Sequence, residues 1–365
     1  MNNFYKIIIL MSQTNNSSFA QEEEEFFDRM RRLASRHPAL RSEWVKDEDR
    51  WLQVILKERE IPAFYEDLRR EPGSDAAKLR RVLAQYEERY EKRASEEMPK
   101  LLSVRCCRLS ENSCVLLAEL THTCNDGFST GLLFTELLSQ KTPVSKDRYH
   151  EYRLWQLEKK DIAQKKEEDP LDISYTPARL GKQSFRNASR EDTLTICMEE
   201  ALLAQIEACA KKQHITAVEF ISYVWYRSLM EEYAVDTLCF QENLTGRENE
   251  PFDAGGIFGC LTVSVPCYLE KTDSPRDYHE RLAKMARKAG SVRSFGTTWE
   301  QAPVLLNKLM FDRPWLSLIA STFSPIKARR VSYFGGDFLT AQLRQGERDY
   351  RIEILHGEEE EAREK

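Results

Sequence analysis

The sequence predicts an α/β protein built from two lobes of related architecture. Strand-like apolar runs take turns with amphipathic helical patterns along the chain. A charge-rich polar segment with prolines and a glycine interrupts this pattern near the middle. The gross order of strands and helices is similar on its two sides. We therefore predict a first lobe over 1–165, a linker over 166–190 and a second lobe over 191–365.

The composition is that of a globular protein. Of 365 residues, 41% are hydrophobic and 10% aromatic, which supplies sizeable cores and argues against global disorder. The net charge of −6, with both signs mixed along the chain, argues against nucleic-acid binding, because phosphate contacts need a basic face. No apolar run approaches 18 residues, so we predict no membrane span.

The cysteines suggest neither a metal site nor a disulfide framework. Nine occur, an odd number, and no two are spaced as C-x-x-C. We therefore predict reduced thiols in a cytoplasmic protein that binds no metal. The apolar N-terminal run "FYKIIILM" is interpreted as a strand, because a signal peptide would need a basic flank and a small-residue cleavage site.

The first lobe continues with a helix over "SFAQEEEEFFDRMRRLASRH". Acidic residues crowd its first turn, as the helix dipole favours. Its apolar stripe is formed by Phe26, Met30, Leu33 and Ala34. "ALRSEWVKDEDRWLQVIL" predicts a hairpin turning at "KDED". The charged stretch "DAAKLRRVLAQYEERYEKRASEEM" predicts a helix with a solvated face.

Two strands, "KLLSVRCCRL" and "CVLLAELTH", lead to the segment that carries the chemistry, and a helix over "FSTGLLFTELLSQ" follows it. The second lobe repeats the alternation. Its predicted strands lie in "DTLTICM", "TLCFQENLTGRENE" and "GGIFGCLTVSVPCYL" and near 316–323 and 350–356; its predicted helices are "EEALLAQIEACAKKQ", "TAVEFISYVWYRSLMEEY" and "SPRDYHERLAKMARKAG".

The segment "THTCNDG" holds the candidate chemistry. His122 ends a strand, Asp126 follows four residues later, and Gly127 comes next. Such a short connection predicts a tight loop, in which Asp126 either orients His122 or turns away and holds the loop. A histidine with an ordinary pKa near 6.5 can act as a general base at neutral pH. Taken alone, however, this pattern favours an incidental histidine.

Three sequence blocks, taken together in their order along the chain, favour a catalytic role for His122 instead. "THTCNDGFSTGLLFTELL" resembles the His-His-x-x-x-Asp-Gly motif, with its following helix, of nonribosomal peptide synthetase condensation domains and the related chloramphenicol and alcohol acyltransferases. Upstream, "LASRHPALRSEWV" and "RWLQVIL" resemble the family's Arg-His-x-x-Leu-Arg stretch and strand pair. Downstream, "ENLTGRENE" and "GGIFGCLTVSVP" resemble a second-lobe Gly-Arg pair followed by a glycine-rich turn and a strand. The resemblance covers nearly the whole chain.

The resemblance implies two chloramphenicol-acetyltransferase-like lobes arranged in a V, with an active-site tunnel between them. The histidine that matches His122 deprotonates or positions an amine or hydroxyl, which attacks a thioester directly. Since a thioester is already activated, proton removal and alignment supply much of what the reaction needs. No serine or cysteine nucleophile is required, and nothing near Cys124 in the sequence would activate its thiolate.

In the family, the motif's aspartate pairs with an arginine of the other lobe. Arg247 is the matching position here, so Asp126, Gly127 and Arg247 are predicted to organise the loop. Gly127 would permit a close backbone approach. The alternative for Arg247 is an ordinary solvated loop arginine.

The motif also departs from the family, because its first histidine is Thr121 here. A small hydroxyl residue at this position favours an unusual condensation enzyme or a free-standing acyltransferase over a standard elongation domain. Since no aspartate replaces the histidine, a heterocyclisation domain is not indicated. We name Thr121, Ser129 and Asn243 as candidates for lining the tunnel. His37 is predicted to be structural, and the remaining histidines show no metal-like spacing.

These observations predict an amide- or ester-forming acyltransferase. Its donor would be an acyl group carried as a thioester on coenzyme A or on the phosphopantetheine arm of a carrier protein. Its acceptor would be a small amine or alcohol, and no permanently bound cofactor is expected. Two alternatives stay open: a non-catalytic scaffold that binds carrier proteins, and an epimerisation-type domain.

Overall fold

The chain is described by a computed structural model over residues 5–13, 23–48, 50–94, 101–121, 124–138, 146–164, 193–247, 254–289, 304–309, 339–345 and 350–355. Contacts divide these residues into two compact units. The described parts of the first unit lie within Met1–His150 and Ala254–Cys260, and those of the second within Glu151–Asp253, Leu261–Met310 and Phe334–Lys365.

The first unit begins with a strand and a helix, and further strands and helices follow. The strands are β1 (Tyr5–Gln13), β2 (Ser42–Asp47), β3 (Arg50–Ile55), β4 (Ala63–Asp67), β5 (Leu102–Arg108) and β6 (Ser113–Thr121). The helices are α1 (Glu23–Arg36), α2 (Asp75–Ala94) and α3 (Gly127–Leu138), followed by α4 (Tyr149–Gln164), which contains the boundary between the units.

The main sheet of the first unit has the order β1-β6-β5-β4. Strand β6 lies between β1 and β5 and is antiparallel to both, whereas β4 pairs with β5 in parallel. Strands β2 and β3 form a separate antiparallel hairpin. Because β6 is central, it is nearly all buried, and the loop that follows it starts from a rigid platform.

Helix α1 buries the stripe that its sequence predicts. Phe26, Met30, Leu33 and Ala34 are all buried, and the acidic residues of the first turn face the positive end of the helix dipole. The predicted hairpin is likewise confirmed, with Ser42 paired to Ile55 and Asp47 to Arg50.

Helix α2 differs from its prediction on one side. Val82 and Tyr86 are buried against β5 and β6, in a cluster that includes Leu109 and Leu117. The Lys78 ammonium group is buried too and donates to the Leu109 carbonyl at 2.8 Å. The predicted solvated face is therefore only the outer side of this helix. Its few apolar residues recur at helical spacing and form a buried inner side.

The second unit has a larger sheet covered by helices. Its strands are β7 (Thr193–Met198), β8 (Thr237–Leu244), β9 (Val263–Glu270), β10 (Val304–Leu309), β11 (Leu339–Gln345) and β12 (Tyr350–Leu355). Its helices after α4 are α5 (Glu200–Lys212), α6 (Ala217–Glu232) and α7 (Pro275–Ala289). The sheet order is β7-β12-β11-β10-β8-β9, and β10 runs parallel to both of its neighbours.

The core of the second unit contains a buried carboxylate. Glu242, on β8, accepts from the hydroxyl groups of Tyr226 (3.1 Å) and Tyr278 (2.6 Å), and all three residues are fully buried. Tyr226 also stacks on Phe240 with ring centroids 3.7 Å apart. Burial, together with the nearby Glu242, raises the pKa of Tyr278, so its phenol stays protonated and donates.

Most predicted elements are present, and four were missed. They are strands β4, β10 and β11 and helix α4. Strand β4 has only five residues and α4 has many charged residues, so neither carries a strong periodic signal. The predicted strand near 316–323 and the linker over 166–190 lie outside the described residues.

The division into units differs from the predicted lobe boundaries in two ways. The first unit ends at His150 and also takes in Ala254–Cys260, a segment within the predicted second lobe. Among the described helices, none is long and apolar enough to cross a bilayer.

Two leucine substitutions in strands of the first unit test where its core lies. Leu116, on β6, is fully buried, whereas Leu52, on β3, is 44% exposed. We expect Leu116→Ala to lower the free energy of unfolding by about 2–5 kcal/mol, through lost burial and a residual cavity. Leu52→Ala should change it by less than about 1 kcal/mol. Urea unfolding of both variants measures the contrast, and equal effects would contradict this placement of the core.

Candidate active-site loop

The candidate loop connects the central strand β6 to helix α3. Thr121 is the last residue of β6; it is buried, and its amide donates to the Leu101 carbonyl at 3.1 Å. Helix α3 begins at Gly127, so five residues make the whole connection. His122, the candidate base, and Thr123 lie outside the described residues, whereas 124–126 are described.

Asp126 is the N-cap of α3. Its Oδ1 accepts from the Ser129 amide at 2.8 Å, and its carbonyl accepts from the Thr130 amide at 3.0 Å. The residue is only 2% exposed. A carboxylate at this position satisfies an amide that has no partner within the helix and interacts favourably with the helix dipole. The cap therefore fixes where α3 begins.

Asn125 and Thr130 form a second contact inside the loop, which sequence reasoning missed. Both side chains are fully buried. The Asn125 amide donates to the Thr130 hydroxyl at 3.0 Å, and that hydroxyl donates to the Asp126 carbonyl, also at 3.0 Å. A polar residue just before an N-cap could have suggested a loop contact, but nothing in the sequence indicates Thr130 as its partner.

Cys124 has the properties of a structural cysteine. It is fully buried, with Sγ 3.5 Å from the Leu101 carbonyl oxygen and 3.6 Å from that of Thr121. Burial raises the pKa of its thiol, so the thiolate needed for nucleophilic attack is disfavoured. This agrees with the prediction that Cys124 is not catalytic.

Gly127 occupies an open position. A Cβ added there would meet no heavy atom within 4 Å among the described residues. The close backbone approach expected at this glycine is therefore not seen in the described part of the chain. Its predicted role in organising the loop stays a prediction.

Ser129 anchors the first turn of α3. Its hydroxyl donates to the Gly259 carbonyl at 2.7 Å and accepts from the Gly259 amide at 2.9 Å. The side chain is fully buried, and Gly259 belongs to the same unit. Ser129 thus has a packing role that its sequence position did not suggest, and its place in a tunnel lining stays a prediction.

Asn243 and Arg247 lie in the second unit, and Asn243 is half-buried on β8. Arg247 is also half-buried and follows Gly246, which has a φ of +66°. Its amide donates to the Thr245 hydroxyl at 3.3 Å. The predicted pairing of Arg247 with Asp126, and the predicted tunnel position of Asn243, stay predictions.

His37 lies in a buried group of charges in the first unit. Its Nδ1 is 2.6 Å from Asp147 Oδ2, and its Nε2 is 3.1 Å from Glu136 Oε2. The Arg36 guanidinium donates to the other oxygen of Glu136 at 3.0 Å. Burial lowers the pKa of His37, but hydrogen bonds to both carboxylates outweigh it and raise the pKa above its ordinary value of 6.5. The imidazolium form therefore persists to a higher pH than in an ordinary histidine.

Other candidate groups have ordinary surroundings. His150 is exposed on α4, and His279 is 2.9 Å from Glu219. A search of the described residues for three or more His, Cys, Asp or Glu side chains that could hold a metal ion found no such group.

Asp126 substitutions separate capping from charge pairing. Asparagine caps a helix about as well as aspartate but carries no charge. Because Asp126 is also predicted to pair with Arg247, we expect Asp126→Asn to lower the free energy of unfolding by roughly 3 kcal/mol. Asp126→Ala should cost a further ~1 kcal/mol through loss of the cap.

Thr216→Ala provides the matched measure of a cap alone. The Thr216 hydroxyl accepts from the Glu219 amide at 3.2 Å at the start of α6. Urea unfolding of the three variants gives the comparison. Wild-type stability in Asp126→Asn would mean that capping accounts for the whole role of this carboxylate and that the pairing prediction is wrong.

The buried histidine predicts a pH dependence of stability. A group whose pKa is raised by folding stabilises the fold fully below its unfolded pKa and loses that contribution as the pH rises through the folded value. We expect the stability difference between wild type and His37→Gln to shrink as the pH rises above 6.5. Urea unfolding at a series of pH values measures it. Other titrating groups are common to both proteins, so a pH-independent difference would contradict the raised pKa.

Comparison with known proteins agrees with the motifs. A family model described as Condensation domain matches residues 14–298. Bacitracin synthases 3 and 1 of Bacillus licheniformis are 24% and 22% identical to the chain over 256 and 272 residues. These alignments cover 66% and 70% of this chain but only 4% and 5% of the synthases.

Solved structures agree at the level of the fold. VibH, a nonribosomal peptide synthetase condensation enzyme, has a TM-score of 0.67 and 14% identity, covering 98% of this chain and 86% of its own. The condensation domain of the Monacolin K polyketide synthase MokA has a TM-score of 0.69 and 10% identity, covering 97% of this chain and 87% of its own. The epimerization domain of the third module of tyrocidine synthetase B has a TM-score of 0.62 and 14% identity, covering 99% of this chain and 88% of its own.

The predicted α/β fold of the chloramphenicol-acetyltransferase type is thus confirmed. The family match extends over most of the chain and includes the loop between β6 and α3. The chain belongs to the Condensation domain family.

Proposed function

We propose that the chain is an acyltransferase that moves an acyl or peptidyl group from a thioester to an amine or hydroxyl. The observation that carries the proposal is the family match over 14–298, which includes the complete loop from Thr121 to Gly127. The loop follows a buried central strand and ends at a capped helix, a setting that can hold a side chain in a fixed place.

His122 is proposed as the general base. It would take the proton from the acceptor amine or hydroxyl as that group attacks the thioester carbonyl, and the thiol would leave. A well-placed base of this kind contributes about 10²–10⁴-fold to the rate. Holding both reactants in line supplies a further part of the barrier reduction, so no covalent intermediate on the protein is needed.

The capping role of Asp126 supports this assignment over a triad. Its Oδ1 accepts from the Ser129 amide inside the helix that follows the loop. A carboxylate directed into the helix organises the loop, and His122 then acts without a carboxylate partner from its own motif. The pairing of Asp126 with Arg247 is part of the same proposal.

The proposed donor is an acyl thioester on the phosphopantetheine arm of a carrier protein or on coenzyme A. Relatives named as bacitracin synthases favour the carrier-bound form and a place in secondary metabolism. Since this chain matches only 4% and 5% of those synthases, the carrier is proposed to be supplied outside the matched region. The proposed mechanism uses no metal ion and no permanently bound cofactor.

An epimerisation-type activity is the second candidate. The similarity to an epimerization domain over 99% of this chain favours it. Both reactions would use a base near the thioester, but epimerisation inverts the α-carbon of a bound aminoacyl group and forms no new bond to an acceptor. The stereochemistry of recovered aminoacyl thioester therefore separates the two activities.

The test is turnover by mass spectrometry. Wild type and His122→Ala are each given acyl-coenzyme A and acyl-pantetheine thioesters with mixed amine and alcohol acceptors. We expect amide or ester products from wild type and a rate at least about a hundredfold lower from His122→Ala. A thiol-reactive dye is unsuitable, because the nine cysteines would add background.

His150→Ala is the matched control, because His150 is an exposed histidine outside the loop. It should retain wild-type turnover. Equal rates in wild type and His122→Ala would remove His122 from the mechanism. Inverted aminoacyl thioester without condensation product would favour the epimerase. Thioester binding with neither product would favour a non-catalytic scaffold, the alternative that Thr121 keeps open.

A further inference from the structure

One segment packs in a different unit from the residues that precede and follow it in the sequence. Ala254–Cys260 lies in sequence between two parts of the second unit but packs in the first. We call it the returning segment. Ala254, Ile257 and Phe258 are almost fully buried. Because a buried backbone needs hydrogen-bond partners, the groups that hold Phe258 and Gly259 determine where this segment lies.

Phe258 is held by Asp147. The Phe258 amide donates to Asp147 Oδ2 at 3.1 Å, and the same oxygen is 2.6 Å from His37 Nδ1. The other oxygen of Asp147 accepts from the Tyr149 amide at 2.9 Å. The His37 ring also packs against the Phe258 ring, with centroids 5.1 Å apart. Asp147 is thus held on both oxygens, and His37 contacts the segment both directly and through it.

Gly259 is held by Ser129. Two hydrogen bonds, of 2.7 and 2.9 Å, join the backbone of Gly259 to the Ser129 hydroxyl. Since Phe258 and Gly259 are consecutive, their Cα atoms are about 3.8 Å apart, and a shift of one moves the other. The Ser129 amide is in turn the group that Asp126 caps at 2.8 Å.

A continuous set of short contacts therefore runs from His37 to the candidate loop. It passes through Asp147, Phe258 and Gly259 of the returning segment, and Ser129 to Asp126, and all of these residues are buried. Glu136, in the later part of α3, contacts the other side of the His37 ring. Helix α3 is thus connected to His37 near both of its ends.

We propose that His37 and Asp147 are positioning residues for the loop that carries His122. They hold the returning segment against the first turn of α3, and this contact fixes the Asp126 cap at which the loop ends. The inference rests on the proposed function in one respect, namely that the loop carries the base.

The test combines amide hydrogen exchange with kinetics on the full chain. Asp147→Asn and His37→Gln weaken the first contact, and Ser129→Ala removes the second with little change in volume. Exchange is followed by mass spectrometry in peptides covering 124–131 and 254–260, and in reference peptides from β5 and β6. We expect exchange in the peptides covering 124–131 and 254–260 to become about tenfold faster while exchange in the reference peptides is unchanged, because the opening is local.

Lys78→Met is the matched control in the same unit. Lys78 is buried, like the positioning groups, and its ammonium group donates a charged hydrogen bond to the Leu109 carbonyl. It lies at the opposite end of the β5–β6 hairpin, roughly 25 Å from the loop at ~3.3 Å per residue. This variant should leave exchange in the peptides covering 124–131 and 254–260 at the wild-type rate.

Turnover then tests the catalytic consequence. Misplacement of a reacting group by about 1 Å can cost about a hundredfold, so kcat should fall between about tenfold and a hundredfold in Asp147→Asn and Ser129→Ala, with little change in KM. The Asp147→Asn/Ser129→Ala double variant should be no worse than the more affected single variant, because both break one path.

Each outcome bears on the inference. Unchanged exchange at 124–131, or an equal rise in all peptides, would overturn it, since the effect would then be absent or global. Faster exchange in the loop peptides with unchanged kcat would overturn the positioning role. If wild type gives no condensation product, the proposed function fails, whereas the exchange data still decide whether His37 and Asp147 fix the loop. If His37→Gln does not fold, Asp147→Asn carries the test of the first contact and Ser129→Ala that of the second.

Discussion

The Ser129 amide, in the first turn of α3, must find a hydrogen-bond partner at a buried position. This constraint explains the arrangement around the candidate loop. A helix begins with amides that have no partner within the helix, and at an exposed helix water supplies what is missing. Here Asp126 and Ser129 are buried, and the Asp126 carboxylate accepts from the Ser129 amide instead. The strand before the loop is central in its sheet, which leaves the loop little freedom to adjust.

The same constraint accounts for the charges buried beside α3. An isolated carboxylate at the position of Asp147 would be costly, and so would an isolated imidazolium at His37. Together they satisfy each other, and Glu136 with Arg36 completes the group at the other ring nitrogen. The net gain in stability from such a group is small, because desolvation offsets attraction. Its main effect is on geometry. Few arrangements give partners to both oxygens of Asp147 and both ring nitrogens of His37, so the backbone of the returning segment is held in place.

Local sequence patterns were sufficient for much of this fold. The α1 stripe, the β2–β3 hairpin and the segment between β6 and α3 each depend on residues close together in the chain. The parallel pairing of β4 with β5 depends on a long connection, and no residue within "AFYED" encodes it. His37 illustrates the limit most clearly. Its sequence context predicts a structural residue, but its partner Asp147 is 110 positions away, and the link from Ser129 to Gly259 spans 130.

Part of the candidate site can likewise be predicted from local sequence, and part of it cannot. The motif identifies Asp126, because an aspartate before a glycine and an apolar helix is also the local signature of an N-cap. It does not identify Asn125, Thr130 or Gly259, whose roles arise only when buried polar atoms are matched with partners.

A loop organised in this manner has a chemical consequence. If the carboxylate of the motif serves the helix, the histidine five residues before the first helical residue does not depend on it for orientation. On the proposal above, the backbone on either side of the loop would set its placement: β6, which pairs with β1 and β5, and the cap, which Ser129 links to the returning segment. On this proposal, precision at the reacting group is set by hydrogen bonds that never touch it, and a polar contact deep in the first unit affects chemistry at the loop.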